Sequence, residues 1–109
     1  MKIVRNNIIP FKGYKAVNIF GILFVRGDAI MTSTDINHES IHTAQMKEML
    51  YVFFYLWYGI EWLVRLVMYR NAHTAYRNVS FEREANAGEE DETYLENRGY
   101  FEWIKYILS

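Results

Sequence analysis

Two histidines spaced four residues apart have the clearest potential for chemistry in this sequence. His38 and His42 stand in the segment His-Glu-Ser-Ile-His, in which Glu39 follows the first histidine. This segment belongs to a predicted helix from about Asp35 to Leu50, because Thr32 to Asp35 supply several N-cap residues. On a helix the two histidines lie about 40° apart around the axis, so both imidazoles can bind one metal ion. Glu39 lies on the same side, where it can contact a metal-bound water without being a ligand itself.

A third ligand is needed, because two histidines leave a tetrahedral zinc site incomplete and catalytic zinc commonly takes His, His and Glu plus water. The sequence contains no cysteine, which excludes a thiolate site. The segment Phe-Glu-Arg-Glu-Ala-Asn, residues 81–86, lies on a predicted helix from Tyr76 to Ala87. Its two acids, Glu82 and Glu84, are about 200° apart on a helix, so only one of them can face the histidines. Spacing alone allows either.

Composition bounds the remaining possibilities. The 109 residues are 51% hydrophobic, which is enough for one compact core, so we expect a single domain covering residues 1–109. The net charge of -1 gives no footprint for nucleic acid, and none is expected as a partner. The N-terminal residues show no apolar stretch of signal-peptide length, and a cytoplasmic location is therefore expected.

Two or three strands are predicted in the first third of the chain. Lys2 to Ile9 and Ala16 to Val25 both read as strand, and they are separated by Pro10 and the Lys12-Gly13 pair. Gly21, in the middle of the second run, indicates a bulge or a close backbone approach.

The other connections are predicted from polar and acidic runs. Arg70 to Thr74 is expected to be a turn, and Glu89 to Glu92 a solvated loop. Phe101, Ile104 and Leu108 are spaced for a short terminal helix within Gly99 to Ser109, packed on the core.

The aromatic segment from Leu50 to Tyr69 is long enough to raise the question of a membrane span. Glu61 and Arg65 interrupt it, and their spacing of four suits a helical ion pair. We therefore predict a buried helix within a soluble domain, with a membrane-embedded helix as the alternative; peripheral membrane contact is also possible.

The order of these motifs resembles a known family. HESIH followed by FEREAN is similar to the gluzincin branch of zinc metallopeptidases, and the length and element order resemble the minigluzincins. The resemblance implies an α+β fold with a small zincin-like core: two to three strands, then an active-site helix, a backing helix, a glutamate helix and a short C-terminal helix. It also implies that Glu82 is the third zinc ligand and Glu84 a solvated or salt-bridged neighbour. Asn86 replaces the usual Asp, so it cannot supply the negative charge that would orient a histidine.

The function implied by the resemblance is hydrolysis of peptide bonds in a peptide or protein substrate, with Zn²⁺ as cofactor and Glu39 as general base. Tyr76 and His73 are candidates for stabilising the transition state, and Gln45 could support the site by a hydrogen bond. By the same resemblance, part of Ala16 to Arg26 would bind substrate, and Gly99 to Ser109 could block the cleft in a latent form. The alternative is a non-catalytic, zinc-stabilised binding domain with a peptidase-like cleft, and a dimer is possible in either case.

Overall fold

A three-stranded mixed sheet precedes the helices of this chain. The computed structural model describes residues 1–10 and 14–107; the predicted Lys12-Gly13 break and Leu108 lie outside them. The strands are β1 (Lys2–Asn6), β2 (Ala16–Ile19) and β3 (Ile22–Arg26). The helices are α1 (Ser33–Glu48), α2 (Val52–Tyr69), α3 (Ala72–Asn78), α4 (Ser80–Gly88), α5 (Tyr94–Asn97) and a terminal 3-10 helix (Glu102–Tyr106). The predicted α+β class and layout are confirmed.

The sheet has the order β1-β3-β2, with β1 parallel and β2 antiparallel to β3. The predicted continuous strand from Ala16 to Val25 is instead a hairpin. Phe20 and Gly21 form its two-residue turn, both with positive φ (51° and 85°), as a tight hairpin of this twist requires. Gly21 therefore marks a turn rather than a bulge. Within the described residues β2 is an edge strand, because only β3 pairs with it.

Helix α1 begins where its capping residues predict. Thr32 accepts a hydrogen bond from the backbone N–H of Asp35 at 3.1 Å, and the Asp35 carboxylate accepts one from the N–H of Thr32 at 3.0 Å. The helix ends at Glu48, and Leu50 and Tyr51 with positive φ turn the chain into α2.

The single helix predicted from Tyr76 to Ala87 is wrong in one respect, because it is divided at Val79 into α3 and α4. The cause is a long-range cap. The Glu61 carboxylate, on α2, accepts hydrogen bonds from the N–H and hydroxyl of Ser80, both at 2.6 Å. The predicted turn from Arg70 to Thr74 is also too long: Arg70 ends α2 in the left-handed conformation, and α3 already begins at Ala72.

The core lies between α1, α2, α4 and the 3-10 helix. Its main cluster contains Met46, Phe54, Val79, Phe81 and Trp103. The rings of Phe81 and Trp103 lie 4.6 Å apart, so the terminal segment packs on α4 as predicted, although it forms a 3-10 helix. Trp103 makes this contact, whereas the predicted Phe101 and Ile104 are 43% and 52% exposed.

Helix α2 is much less buried than predicted. Only Phe54 and Glu61 are buried among its 18 residues. By length and composition alone, α2 is also long and apolar enough to cross a membrane. The prediction of a buried helix is therefore wrong for most of its surface.

Candidate metal centre

Three donor atoms from two helices converge at one point. His38 and His42 lie one turn apart on α1, and Glu82 lies in the first turn of α4. The two Nε2 atoms are 3.1 Å apart, and Glu82 Oε1 lies 3.2 Å from Nε2 of His38 and 3.1 Å from Nε2 of His42. A tetrahedral zinc ion with bonds of about 2.0–2.1 Å separates its ligand atoms by about 3.3–3.4 Å. The triangle therefore has the size of one face of a zinc site.

The histidine rings are oriented by their other nitrogen atoms. His42 Nδ1 lies 2.8 Å from Gln45 Oε1, and His38 Nδ1 lies 2.6 Å from Glu89 Oε2. Both oxygens only accept hydrogen bonds, so each Nδ1 carries a proton, and a ring that loses its other proton directs its Nε2 lone pair into the triangle. The Gln45 amide is itself fixed, because its nitrogen donates to the Phe81 carbonyl at 3.0 Å. The predicted hydrogen bond from Gln45 is thus present.

The prediction that residues 89–92 form a solvated loop holds for residues 90–92, which are exposed, but not for Glu89. Its side chain, 27% exposed, holds His38, whereas Asn86 is exposed on α4. The chain therefore supplies a negative charge beside a histidine, but from a position three residues beyond the FEREAN motif.

The two glutamates of α4 occupy opposite environments. Glu82 faces the histidines, and its Oε2 accepts a hydrogen bond from the Tyr58 hydroxyl at 2.7 Å. Glu84 is fully buried elsewhere, where it pairs with Arg98 and accepts hydrogen bonds from Gln45 and Tyr94. The predicted salt-bridged role suits Glu84, and its side chain does not reach the donor triangle.

The three groups of the triangle shift one another's pKa values. Burial opposes ionisation of His42, but attraction to Glu82 and a hydrogen bond with it prevail and raise the pKa of His42 to about 9. Burial is the largest influence on His38 and lowers its pKa, but its hydrogen bonds to Glu82 and Glu89 and the charge of Glu82 together raise that pKa overall. Burial likewise disfavours the Glu82 carboxylate, yet the two histidines hold its pKa well below its ordinary value. This set of donors fits a cation, and two imidazoles with one carboxylate suit zinc.

Glu39 lies beside the triangle without forming part of it. A carboxylate oxygen of Glu39 and donor atoms of the two histidines lie within 4.8 Å of one another. Burial raises the pKa of Glu39, although both histidines oppose the shift. A carboxylate with a raised pKa next to a metal site is suited to accept a proton from water.

A cleft of about 300 Å³ opens over these groups. Tyr55 of α2 lines it in contact with strand β2, where its hydroxyl donates to the Asn18 carbonyl at 3.3 Å, and Tyr58 of α2 and Tyr76 of α3 also reach it. His73, the other residue predicted to stabilise a transition state, is not among its lining residues; its ring lies 6.0 Å from that of Tyr76 on an exposed part of α3. The described part of the C-terminal segment, residues 99–107, does not line the cleft either, so the implied blocking segment has no support there.

Strand β2 presents its free edge to this cleft. The Arg26 N–H donates to the Lys15 carbonyl at 2.9 Å, and alternation along the antiparallel ladder therefore directs the backbone groups of Ala16 and Asn18 away from β3. Ala16 and Asn18 both line the cleft. The Asn18 side chain donates to the Glu39 carbonyl at 3.0 Å, which fixes the strand against α1.

Three residues of the site could not be found from the sequence. Tyr58 contacts Glu82 on α4, whereas Glu89 and Asn18 contact α1 at His38 and Glu39. Each of these contacts joins residues at least 21 positions apart. Tyr58 is one of several aromatic residues in its segment, and no local feature of the sequence distinguishes it from the others.

Comparison with protein-family models gave no match, and comparisons with curated proteins and with solved structures gave no significant match either. The structure brings His38, Glu39 and His42 together in a manner compatible with a zincin motif. The case for a function therefore depends on the geometry of the site.

Proposed function

We propose that this chain is a zinc-dependent peptidase in which His38, His42 and Glu82 hold the metal. The observation that carries the proposal is the donor triangle, with separations of 3.1–3.2 Å and both Nδ1 atoms engaged elsewhere. A zinc ion bound there would supply polarisation of a substrate carbonyl and a water of lowered pKa.

Glu39 is assigned the role of general base. It lies beside the triangle, is largely buried, and has a raised pKa, which are the properties needed to accept a proton from the attacking water and pass it to the leaving amine. Tyr76 is assigned to the developing oxyanion. Burial and the nearby Glu82 raise the pKa of the Tyr76 phenol, so it remains a hydrogen-bond donor at neutral pH.

Strand β2 would bind the substrate backbone. An extended peptide can pair with a free strand edge, and the outward groups of Ala16 provide such an edge next to Glu39. The outward carbonyl of Asn18 already accepts a hydrogen bond from the Tyr55 hydroxyl at 3.3 Å. Within the implied segment from Ala16 to Arg26, β2 is assigned this role because β3 is the central strand of the sheet and has no free edge.

The decisive experiment measures zinc and turnover together. Purified protein should carry about one zinc per chain and cleave an unfolded protein, and a chelator should stop the cleavage. Glu39→Gln should abolish cleavage while zinc is retained. Glu90→Gln is the matched control, because Glu90 is exposed and makes no hydrogen bond among the described residues. Bound zinc without chelator-sensitive cleavage would instead favour a zinc-stabilised binding domain.

A second measurement separates the two glutamates. Glu82→Ala should abolish high-affinity zinc binding, whereas Glu84→Ala should lower stability and leave a zinc site in whatever protein remains folded. Loss of zinc in the folded fraction of Glu84→Ala, with retention in Glu82→Ala, would contradict the assignment.

A further inference from the structure

One face of α2 is apolar and exposed along its length. Six side chains form what we call the apolar stripe, each between 52% and 78% exposed. They are Phe53, Leu56, Ile60, Leu63, Val64 and Val67. At 100° per residue they cover about 100° of the helix surface. Their exposed area is roughly 600 Å², at the upper limit of the largest apolar patch on an ordinary monomeric protein.

The neighbouring residues widen this face rather than interrupt it. Val52, Trp57 and Met68 are also exposed, and they extend the apolar surface to about 160° around the helix. The two charged residues of α2 lie outside this face, Glu61 about 20° and Arg65 about 60° beyond Met68 at its border. Glu61 is buried against Ser80, and Arg65 donates a hydrogen bond to the Ile107 carbonyl.

We propose that the apolar stripe inserts into the surface of a lipid bilayer, with α2 lying parallel to the membrane plane. This proposal is independent of the peptidase function. Helices with one continuous apolar face bind membranes in this way by burying that face about 5–10 Å into the boundary between headgroups and acyl chains. Helix α2 has 18 residues and is therefore about 27 Å long, so its whole length can lie in this layer.

Two features favour lipid over a second protein surface. A partner helix packs along a narrow seam, whereas this apolar surface is about 160° wide and convex. Specific protein interfaces also carry about one hydrogen bond per 100–200 Å². The stripe offers no polar side chain, and the only polar group on its border, Trp57 Nε1, already donates to Glu61 at 3.0 Å. Hydrocarbon requires no such bonds.

The opposite face of α2 favours insertion in the plane over crossing. Phe54 packs in the core, and Tyr58 donates to the ionised Glu82, so protein covers this side of the helix. A crossing helix would carry the Glu61–Ser80 contact and the site of Glu82 into hydrocarbon, where charged groups are costly. Tyr58 lies about 170° from the centre of the stripe. The cleft therefore opens away from the bilayer, toward water.

Flotation with vesicles tests the proposal. Wild-type protein should float with phosphatidylcholine vesicles. The bound fraction should be the same in about 0.15 M and about 0.5 M salt, because apolar burial and not charge drives the contact. Leu63→Glu/Val67→Glu should reduce the vesicle-bound to free ratio at least tenfold. The matched control is Ile30→Glu/Tyr100→Glu, since Ile30 and Tyr100 are 79% and 90% exposed and lie outside α2. This control should float as the wild type does. Circular dichroism establishes that each variant is folded.

A second readout does not depend on the acidic variants folding. Because the sequence lacks cysteine, Val67→Cys and Tyr100→Cys each accept one environment-sensitive fluorophore. Vesicles should shift the emission of the probe at position 67 to the blue and leave the probe at position 100 unchanged. The proposal is overturned if neither probe responds, or if only anionic vesicles bind and salt releases them. It is also overturned if the wild type is a dimer without affinity for vesicles and Leu63→Glu/Val67→Glu makes it monomeric, because a second copy then covers the stripe.

Discussion

The hydroxyl of Tyr58 provides the most specific test of the metal site. Replacing Tyr58 by Phe removes the hydrogen bond to Glu82 Oε2, which is 2.7 Å long, and keeps the ring that stacks near Phe54 and Phe81. Burial and the charge of Glu82 raise the pKa of the Tyr58 phenol, so in the wild type it is always a donor. The variant leaves a buried, ionised oxygen without this partner.

The magnitude follows from the geometry. A hydrogen bond to a charged group contributes about 1.5–3 kcal/mol, and Oε1 of Glu82 loses its orientation toward the histidines when Oε2 is released. Loss of such a supporting contact commonly weakens metal binding by about 10–100-fold. We therefore expect Tyr58→Phe to weaken zinc binding within that range and to lower the free energy of unfolding of the metal-free protein by about 2 kcal/mol.

Tyr94→Phe is the matched control for this experiment. Tyr94 donates to Glu84 Oε2, also at 2.7 Å. The substitution therefore removes the same kind of bond to a glutamate of the same helix. Glu84 keeps its contacts with Arg98 and Gln45, so the cost in stability should be nearer 1 kcal/mol. Zinc affinity should change by no more than about twofold, since Tyr94 does not touch the donor triangle.

Competition with a chromophoric chelator at fixed pH measures both zinc affinities, and urea unfolding in excess chelator measures both stabilities. The reasoning is refuted if Tyr58→Phe binds zinc as the wild type does while Glu82→Ala does not, because Tyr58 then fails to support the ligand. Equal losses of zinc affinity in both tyrosine variants would refute it as well, by showing a general effect of loosening α4.

Three further predictions concern pH, the cap of α4 and the support of the first histidine. In the metal-free protein the pKa of His42 is raised from 6.5 to about 9, so its contribution to stability is complete below pH 6.5 and is lost as the pH rises through 9. Urea unfolding in chelator should show a decrease of up to about 3 kcal/mol over this range, and a flat profile would contradict the pairing with the carboxylate. Glu61→Ala should lower the free energy of unfolding by about 3 kcal/mol, because it leaves the buried N–H and hydroxyl of Ser80 without an acceptor; an unchanged melting temperature would show that the cap is unimportant. Glu89→Ala should weaken zinc binding about tenfold by freeing His38 Nδ1, and an unchanged affinity in the chelator assay would remove Glu89 from the site.

Local signals in the sequence predicted the parts of the site that depend on neighbouring residues. The Thr32 cap and the four-residue spacing of His38 and His42 are properties of one helix, and the structure bears out both the helix and the proximity of the rings. Gly21 was predicted to mark a bulge or a close backbone approach, and its local context did not reveal the hairpin turn that it forms with Phe20.

Contacts between distant segments account for the errors. The division of the predicted third helix at Val79 depends on Glu61, which reaches Ser80 from another helix. Glu89 was placed in a solvated loop because an acidic run is usually exposed, and only the return of the chain beside α1 brings it to His38. Hydrophobicity alone likewise could not tell whether the apolar residues of α2 face the core, because it does not say what covers them.

The two glutamates of α4 also explain why a metal is proposed at one of them only. A buried carboxylate requires a paired cation. Glu84 has a permanent one, since the Arg98 guanidinium binds it through two nitrogens at 2.5 and 3.0 Å and remains charged at any physiological pH. Among the described residues the cationic partners of Glu82 are imidazoles, whose positive charge depends on protons that a metal can displace. The same helix therefore carries one carboxylate that is neutralised by a permanent cation of the chain and one whose protonated imidazole partners can be replaced by a metal ion. Arg98→Ala should accordingly destabilise the fold without creating a second zinc site, because no imidazole lies in hydrogen-bond contact with Glu84 among the described residues.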